Sequence, residues 1–467
     1  MKFKPVIFFI FLCVNCFAQN RILNLEKSFN NLLADEQTKH AITSLCVLDA
    51  NTGKTLFARN EQIGLATAST LKTITAATAF SILGKDFRFE TTLAYSGNIT
   101  ADGVLKGNLI IIGSGDPTLG SWRYQNKENT VLTQWVTAIK SAGIRKIEGT
   151  IIGDDRIFGT QTTPEGWVWQ DIGNYYGAGT SGLAWRENQF DIYLKPGSGT
   201  TDEVKVIKTV PETPYIQIVN ELKTGATGTG DRSYAFLPPY NNVAYLRGSW
   251  GMGIGKTGIS VALPDPAFDC AYRLQDTLKR LGISSSQQPT TARLMALNNQ
   301  SMPAVTQKIN TVSSPALSEI SYWFLKKSIN LYGETLLKTM ALKLGKAATT
   351  SKGAETEINY WAERGIDKTA LNIIDGSGLS PGDRVTTSAM ANILFQVQKE
   401  SWFADFYKAL PEYNGMKIKS GTINDVSAFA GYHTDSAGNK YIIVININNY
   451  SGNAINKKLF KVLDELK

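Results

Sequence analysis

The chain has 467 residues, 43% of them hydrophobic and 19% charged. It is too long for one compact core and too apolar for a disordered chain, so two or three globular domains are expected. The net charge of +8 includes Lys2 and Lys4; without them it falls to about +6, a mild bias with no basic run dense enough for nucleic acid. The chain opens on MKFKPVIFFIFLCVNCFAQN. Two lysines, an apolar stretch from Pro5 to Val14 and small residues ending at Ala18 give the layout of a signal peptide over residues 1–18. The apolar run is too short for an anchor, so export without integral membrane attachment is expected. RILNLEKSFNNLLADEQT then places Leu23, Phe29, Leu32 and Leu33 in helical register. TSLCVLDANTGKTLFARN reads as two strands around the turn Asn51-Thr52-Gly53.

The next segment, ATASTLKTITAATAFSIL, reads as a buried helix with Ser69 and Lys72 at its mouth. From about Phe87 to Leu263 the texture changes to short β-rich segments with many glycines. Helical patterns return with VALPDPAFDCAYRLQDTLKRLGI. The chain ends on a strand, YIIVININNY, and a helix with Ile455, Leu459, Val462, Leu463 and Leu466 on one side. Helix and hairpin at one end, strand and helix at the other, predict that the termini meet in one α/β domain. That domain takes residues 19–86 and 264–467. Residues 87–263 form an inserted, mostly β part, with one domain nested in another. Cys46 and Cys270 lie in apolar runs and read as free buried thiols. No Cys/His grouping has metal-ligand spacing, so neither metal nor cofactor is expected.

The chain has only two histidines, His40 and His433, and neither has the context of a catalytic base. Ser69 and Lys72 offer another chemistry. Residues i and i+3 share a helix face, so the amine reaches the hydroxyl. The helix start points free N–H groups and a positive dipole end at the serine. A desolvated lysine can serve as general base for such a serine. An isolated Ser-x-x-Lys is more often a capping serine beside a solvated lysine, so companions are needed. The acyl-transfer arrangement requires Ser-x-Asn and then Lys-[Ser/Thr]-Gly. Of the Ser-x-Asn matches at Ser28, Ser96, Ser328 and Ser451, only Ser328-Ile329-Asn330 combines the order with a helix on both sides. Of the matches at Lys223, Lys256 and Lys419, the first two fall in the glycine-rich middle. Lys419-Ser420-Gly421-Thr422 sits on a strand before a turn at Asn424-Asp425. A strand edge there presents backbone groups to an extended peptide.

With these motifs, and with GNLIIIGSGDPTL, EGTIIGDDRIF, GWVWQDIGNYYGAGTSGLAWRENQF, SPALSEI and DGSGLSPGDRVT, the sequence resembles the class C low-molecular-mass penicillin-binding proteins, the D-alanyl-D-alanine carboxypeptidase/endopeptidases. The second motif is Ser-Ile-Asn where the family usually has Ser-Asp-Asn, and the third Lys-Ser-Gly where Lys-Thr-Gly is commoner. Both keep the groups the chemistry uses. The resemblance implies an α/β fold: a split penicillin-binding-protein/β-lactamase-type transpeptidase domain, an antiparallel sheet flanked by helices, carrying a large mostly β insertion. It implies a periplasmic serine peptidase acting on peptidoglycan stem peptides, with β-lactams as covalent inhibitors. Ser69 would be the nucleophile and Lys72 its base. Ser328 would relay a proton, Asn330 orient substrate and Lys72, and Lys419 hold the relay electrostatically. Ser420, Gly421 and Thr422 would line the substrate strand, with the amides of Ser69 and Thr422 as oxyanion hole. Asp154, or failing it Asp155, would meet the free amine of a diamino acid in the stem peptide. Arg384 reads as structural. The alternatives are a serine β-lactamase, disfavoured by the 256 residues between Lys72 and Ser328, and a non-catalytic peptidoglycan-binding or sensor protein.

Overall fold

A computed structural model describes the backbone of residues 6–467 and the side chains of residues 20–467. The start of the expected signal peptide, with Lys2 and Lys4, lies outside the described residues. Its remainder is continuous with the helix Val6–Leu33. Among the described residues no helix is long and apolar enough to cross a membrane. The chain divides into two units. The first takes residues up to 81, 321–328 and 354–467; the second takes residues 82–320 and 329–353.

The first unit is built on a six-stranded antiparallel sheet. Its order is Thr55–Arg59, Ile42–Asp49, Lys440–Asn448, Val426–Thr434, Met416–Ile423 and Glu412–Tyr413. The hairpin at Asn51-Thr52-Gly53 forms as expected: the Asp49 carboxylate accepts from the N–H groups of Asn51 and Thr52. Ile42–Asp49 pairs with Lys440–Asn448 from Ile42↔Asn448 to Asp49↔Tyr441, so the two ends of the chain meet in one sheet. One face is covered by the first helix and the last. Ile455, Leu459, Val462, Leu463 and Leu466 are all buried against Leu45, Val47, Ile443 and Ile445. The first helix meets the sheet through part of the expected stripe, Phe29 and Leu32, joined by Leu25 in place of Leu23 and Leu33. Leu25, Phe29 and Leu32 are buried, whereas Leu23 and Leu33 are exposed. Helical periodicity allows both stripes, and the sheet selects the one carrying Leu25. Cys46 is a free, buried thiol in the strand Ile42–Asp49, and burial with the nearby Glu61 charge pushes it up to about 12.

The second unit holds two cores. A five-stranded sheet, in the order Thr290–Thr291, Ile151–Asp154, Leu109–Ile112, Glu90–Tyr95 and Gln307–Ser313, packs with the helices Glu128–Ser141 and Pro266–Arg280. Trp135 and Trp185 stack in that core at 5.9 Å. Residues between Phe190 and Leu263 make a core of their own, centred on Ile192, Leu246 and Trp250. Residues 264–320, expected with the other domain, stay in this unit. The reason is packing: Ala267, Cys270, Leu274 and Leu278 of the helix Pro266–Arg280 are buried in the same core as Trp135 and Ile147. Cys270 is likewise a free, buried thiol.

Candidate active site

Ser69 lies in the 3-10 turn Ala68–Leu71, which runs directly into the helix Lys72–Leu83. From Lys72 to Phe80 every residue of that helix is buried, so the alanine- and threonine-rich sequence makes a central rather than an amphipathic helix. The strand before the turn is fastened by two asparagines: Ala66 N–H donates to Asn448 Oδ1 at 2.9 Å, and Asn446 Nδ2 donates to Ala66 O at 3.0 Å. Ala68 has φ +45°, a left-handed conformation that costs a β-carbon-bearing residue about 1–2 kcal/mol. Backbone strain of this kind sits immediately before the candidate nucleophile.

Lys72 is fully buried. Its Nζ donates to Ser69 Oγ at 2.9 Å and to Ser377 O at 2.6 Å, and lies 6.0 Å from the centre of the Phe324 ring. Lys419 is also buried, on the strand Met416–Ile423, and donates to Ser420 O at 2.7 Å. Burial first, and the Lys72 charge second, hold the Lys419 amine well below the usual lysine range. Two amines in one buried place disfavour double protonation, so a proton added to one is resisted by the other.

The Lys419 strand abuts the Ser69 turn at Gly421. A β-carbon at Gly421 would stand 2.7 Å from Thr67 O, 2.8 Å from Ser69 N and 2.9 Å from Thr70 N. Only glycine lets the two backbones approach so closely. On its inner side the strand pairs fully with Val426–Thr434, with Thr422 opposite Ser427. On its outer side Glu412–Tyr413 covers only Met416 and Lys417. From Lys419 to Thr422 the outer edge has no strand partner among the described residues. Such an edge offers alternating N–H and C=O groups to an extended peptide.

The first unit therefore brings together Ser69, Lys72, Lys419 and Gly421. Ser420 is half-buried and Thr422 exposed on the same strand. Ser328 ends the segment 321–328 of this unit with φ +57°, between the helices Leu317–Lys327 and Asn330–Lys343. Asn330 and Asp154 belong to the second unit. Asn330 opens its helix, and its Nδ2 donates to Tyr176 O at 2.7 Å. Asp154 closes the strand Ile151–Asp154 and is held by Arg156 through two hydrogen bonds of 2.8 Å. Asp155, next to it, is buried and pushed up to about 6 by desolvation, the Asp265 carboxylate adding to the effect. The two other Lys-[Ser/Thr]-Gly matches are in the second unit; Lys256 pairs at the surface with Asp231 at 3.3 Å. The residues that sequence reasoning missed are Ser377, which acts through its carbonyl, and the fastening asparagines Asn446 and Asn448. The first left no signal of residue type. The second pair was visible only as polar interruptions in an apolar strand.

The chain is similar to known proteins in sequence and in fold. The model of the D-Ala-D-Ala carboxypeptidase 3 (S13) family matches residues 25–412. The chain belongs to that family. The match ends before Lys419, so the placing of this lysine rests on the strand geometry above. Within the family's range of relatives, the chain is 26% identical over 469 residues to a D-alanyl-D-alanine carboxypeptidase of Actinomadura sp. (strain R39), covering 93% of this chain and 82% of that one. It is 24% identical over 418 residues to the D-alanyl-D-alanine carboxypeptidase DacB of Haemophilus influenzae, covering 84% of this chain and 82% of that one. The crystal structure of penicillin binding protein 4 (dacB) from Haemophilus influenzae superposes with a TM-score of 0.78 at 22% identity, over 94% of this chain and 98% of that one. The S13 chain thus shares the penicillin-binding-protein fold, an α/β domain with an antiparallel sheet flanked by helices.

Proposed function

We propose that this S13 family member is an exported serine peptidase that cleaves D-Ala-D-Ala in peptidoglycan stem peptides through an acyl-enzyme on Ser69. The observation that carries the proposal is the buried Lys72 amine 2.9 Å from the Ser69 hydroxyl. A serine hydroxyl is a weak nucleophile until a neighbouring base takes its proton, and no histidine adjoins this one among its described hydrogen-bond partners.

In this reading Ser69 Oγ attacks the carbonyl between the two D-alanines while neutral Lys72 takes its proton. The amides of Ser69 and Thr422 receive the oxyanion, and preorganised donors of that kind are each worth about 10²–10³ in rate. The intermediate collapses when the leaving amine accepts a proton from the Lys72 ammonium by way of the Ser328 hydroxyl. Water then enters, and the same groups run the steps in reverse to free Ser69. Lys419 biases the protonation of this group by its charge, Asn330 orients the substrate amide, and Ser420 and Thr422 meet the terminal carboxylate. Asp154 pairs with the free amine of the diamino acid in the stem peptide, which requires it to share or exchange its bond to the exposed Arg156. A substrate with a free amine at that place can also be a cross-link between two stem peptides, so endopeptidase activity belongs to the same proposal. β-Lactams, which mimic the scissile dipeptide, acylate Ser69 as covalent inhibitors.

The test is labelling of the full chain with a fluorescent penicillin, read by the mass of the intact protein. A lasting adduct on the wild type, absent in Ser69→Ala and slowed by orders of magnitude in Lys72→Ala, is the expected result. Rapid hydrolysis without lasting label would indicate a β-lactamase. No label at all would indicate a non-catalytic binding protein.

A further inference from the structure

Next to Lys72 lies a buried turn whose two carboxyl groups take no part in the steps above. Asp375, Ser377, Ser380 and Asp383, in DGSGLSPGD, are all fully buried. A carboxyl in such a place must find donors or give up its charge. Asp375 finds them in the backbone of the turn. Its Oδ1 accepts from the N–H groups of Ser377 at 2.9 Å and Gly378 at 2.6 Å, and its Oδ2 accepts from Ser380 N–H at 2.8 Å. Asp383 Oδ1 accepts from Ile374 N–H at 2.6 Å and Asp375 N–H at 3.2 Å. Asp383 Oδ2 has no donor among the described residues, although the Asp375 carboxyl is beside it. Burial first, and the Asp375 charge second, push the Asp383 carboxyl well above the usual range. Two adjacent buried carboxyls do not both ionise. Burial therefore opposes a charge on Asp383, while the backbone N–H groups of the turn hold the Asp375 carboxyl.

The turn meets the reacting residues at three points. Ser377 O accepts from Lys72 Nζ at 2.6 Å. Gly378, at φ +75°, lies so close to Ala68 that a β-carbon would stand 1.9 Å from Ala68 O. Asp383 O accepts from Thr67 N–H at 3.3 Å. One turn thus holds both the residues just before Ser69 and the lysine just after it. The groups facing the Lys72 amine include Ser69 Oγ, Ser377 O, the Phe324 ring and the Lys419 amine. Among them Ser377 O is a backbone acceptor, fixed in direction by the turn.

We propose that Asp375 is a positioning residue for Lys72: its carboxyl, bonded by the backbone N–H groups of Ser377, Gly378 and Ser380, fixes the 375–383 turn so that the Ser377 carbonyl takes one N–H of the amine and holds Nζ beside Ser69 Oγ. The inference rests on Ser69 and Lys72 acting as proposed above.

The experiment measures the acylation rate constant of the full chain with fluorescent penicillin, from neutral to alkaline pH, for Asp375→Asn, Asp383→Asn and Asp383→Ala. Circular dichroism reports folding. Asp383→Asn should stay within about three-fold of wild type, because a neutral amide suits a place where burial opposes charge and keeps an oxygen for the two backbone N–H groups. Asp375→Asn turns an NH₂ toward backbone donors, displaces the turn and should slow acylation roughly a hundred-fold. Its rate should also rise at lower pH than the wild type's, because the carbonyl that stabilised the Lys72 ammonium has moved away. A purely structural role would lower the fraction of active protein and leave the rate constant and pH profile of that fraction unchanged. That result overturns the proposal. So does an Asp383→Asn variant as slow as Asp383→Ala. If Asp375→Asn does not fold, the Asp383 pair decides alone: a fast Asn with a slow Ala supports the proposal, and equal rates overturn it. A wild-type chain that fails to label at Ser69 overturns the functional reading itself.

Discussion

Gly421 packs on Ser69 so tightly that one methyl group at position 421 would come within 2.8 Å of the Ser69 amide nitrogen. The nearby atoms are all backbone, so nothing flexible can yield. Gly421→Ala should push the strand Met416–Ile423 away from the Ser69 turn and spread the two proposed oxyanion donors. Acylation by penicillin should fall by about 10²-fold or more, the loss typical of one oxyanion donor. The melting temperature should change far less, because the strand stays paired with Val426–Thr434. Wild-type acylation by this variant would show that Thr422 N–H is not part of the hole.

The three Lys-[Ser/Thr]-Gly sites give an internal control. Lys419→Ala should cripple acylation, since it empties a buried site whose amine senses the Lys72 charge. Lys256→Ala removes a surface pair with Asp231 worth no more than about 1 kcal/mol, and Lys223 is exposed. Both of those variants should acylate within a few-fold of wild type. Comparable losses at 256 and 419 would mean that the wrong lysine has been assigned.

Asp154→Asn should lower kcat/KM for a D-Ala-D-Ala peptide whose diamino acid carries a free amine, by about ten- to a hundred-fold, the worth of a charge-assisted hydrogen bond. It should do little to the same peptide with that amine acetylated, and leave penicillin acylation unchanged. An equal loss on both peptides would make Asp154 a structural partner of Arg156 only. Asp155→Asn, measured beside it, reports whether the neighbouring carboxyl takes the role instead.

Lys338 is buried on the helix Asn330–Lys343, where its amine donates to Gln161 O and burial pulls it down to about 8. Below that pH the folded chain carries the full cost of a buried ammonium. Between about 8 and the unfolded value near 10.4 the unfolded chain binds more protons than the folded one, so stability rises with pH. Lys338→Met removes this contribution. The melting temperature of the variant relative to wild type should be highest near neutral pH and should decline as the pH is raised through this window. A difference independent of pH would show that Lys338 is not held down in the folded chain.

Where local pattern decides structure, the sequence is a sufficient guide. The stripe from Ile455 to Leu466 is buried as a unit, the turn at Gly53 forms, and Lys419 lies on the strand its alternating neighbours imply. The geometry of Ser69 and Lys72 follows from their spacing at a helix start. The first helix shows the limit. Leu23 and Leu25 are both apolar, and only the sheet beneath determines that Leu25 is the buried one. The fate of residues 264–320 turned on a core that Cys270 and Trp135 share across more than a hundred residues of sequence, a relation that no window detects. The Ser377 carbonyl is harder still, because a backbone acceptor is common to every residue type. What could be read there was two aspartates bracketing a glycine-serine run, without any indication that they lie behind Lys72.

The pairing of Ile42–Asp49 with Lys440–Asn448 has a consequence for the order of events in a growing chain. Synthesis delivers the first of these strands well before the second, because 391 positions separate Asp49 from Lys440. The sheet cannot close in the meantime, and pairings so distant in sequence form slowly. The serine and lysine of the helix mouth exist throughout that interval without the strand that lies against them at Gly421. A chain still being made, or cut before residue 416, therefore carries the proposed nucleophile without the strand that packs on it at Gly421.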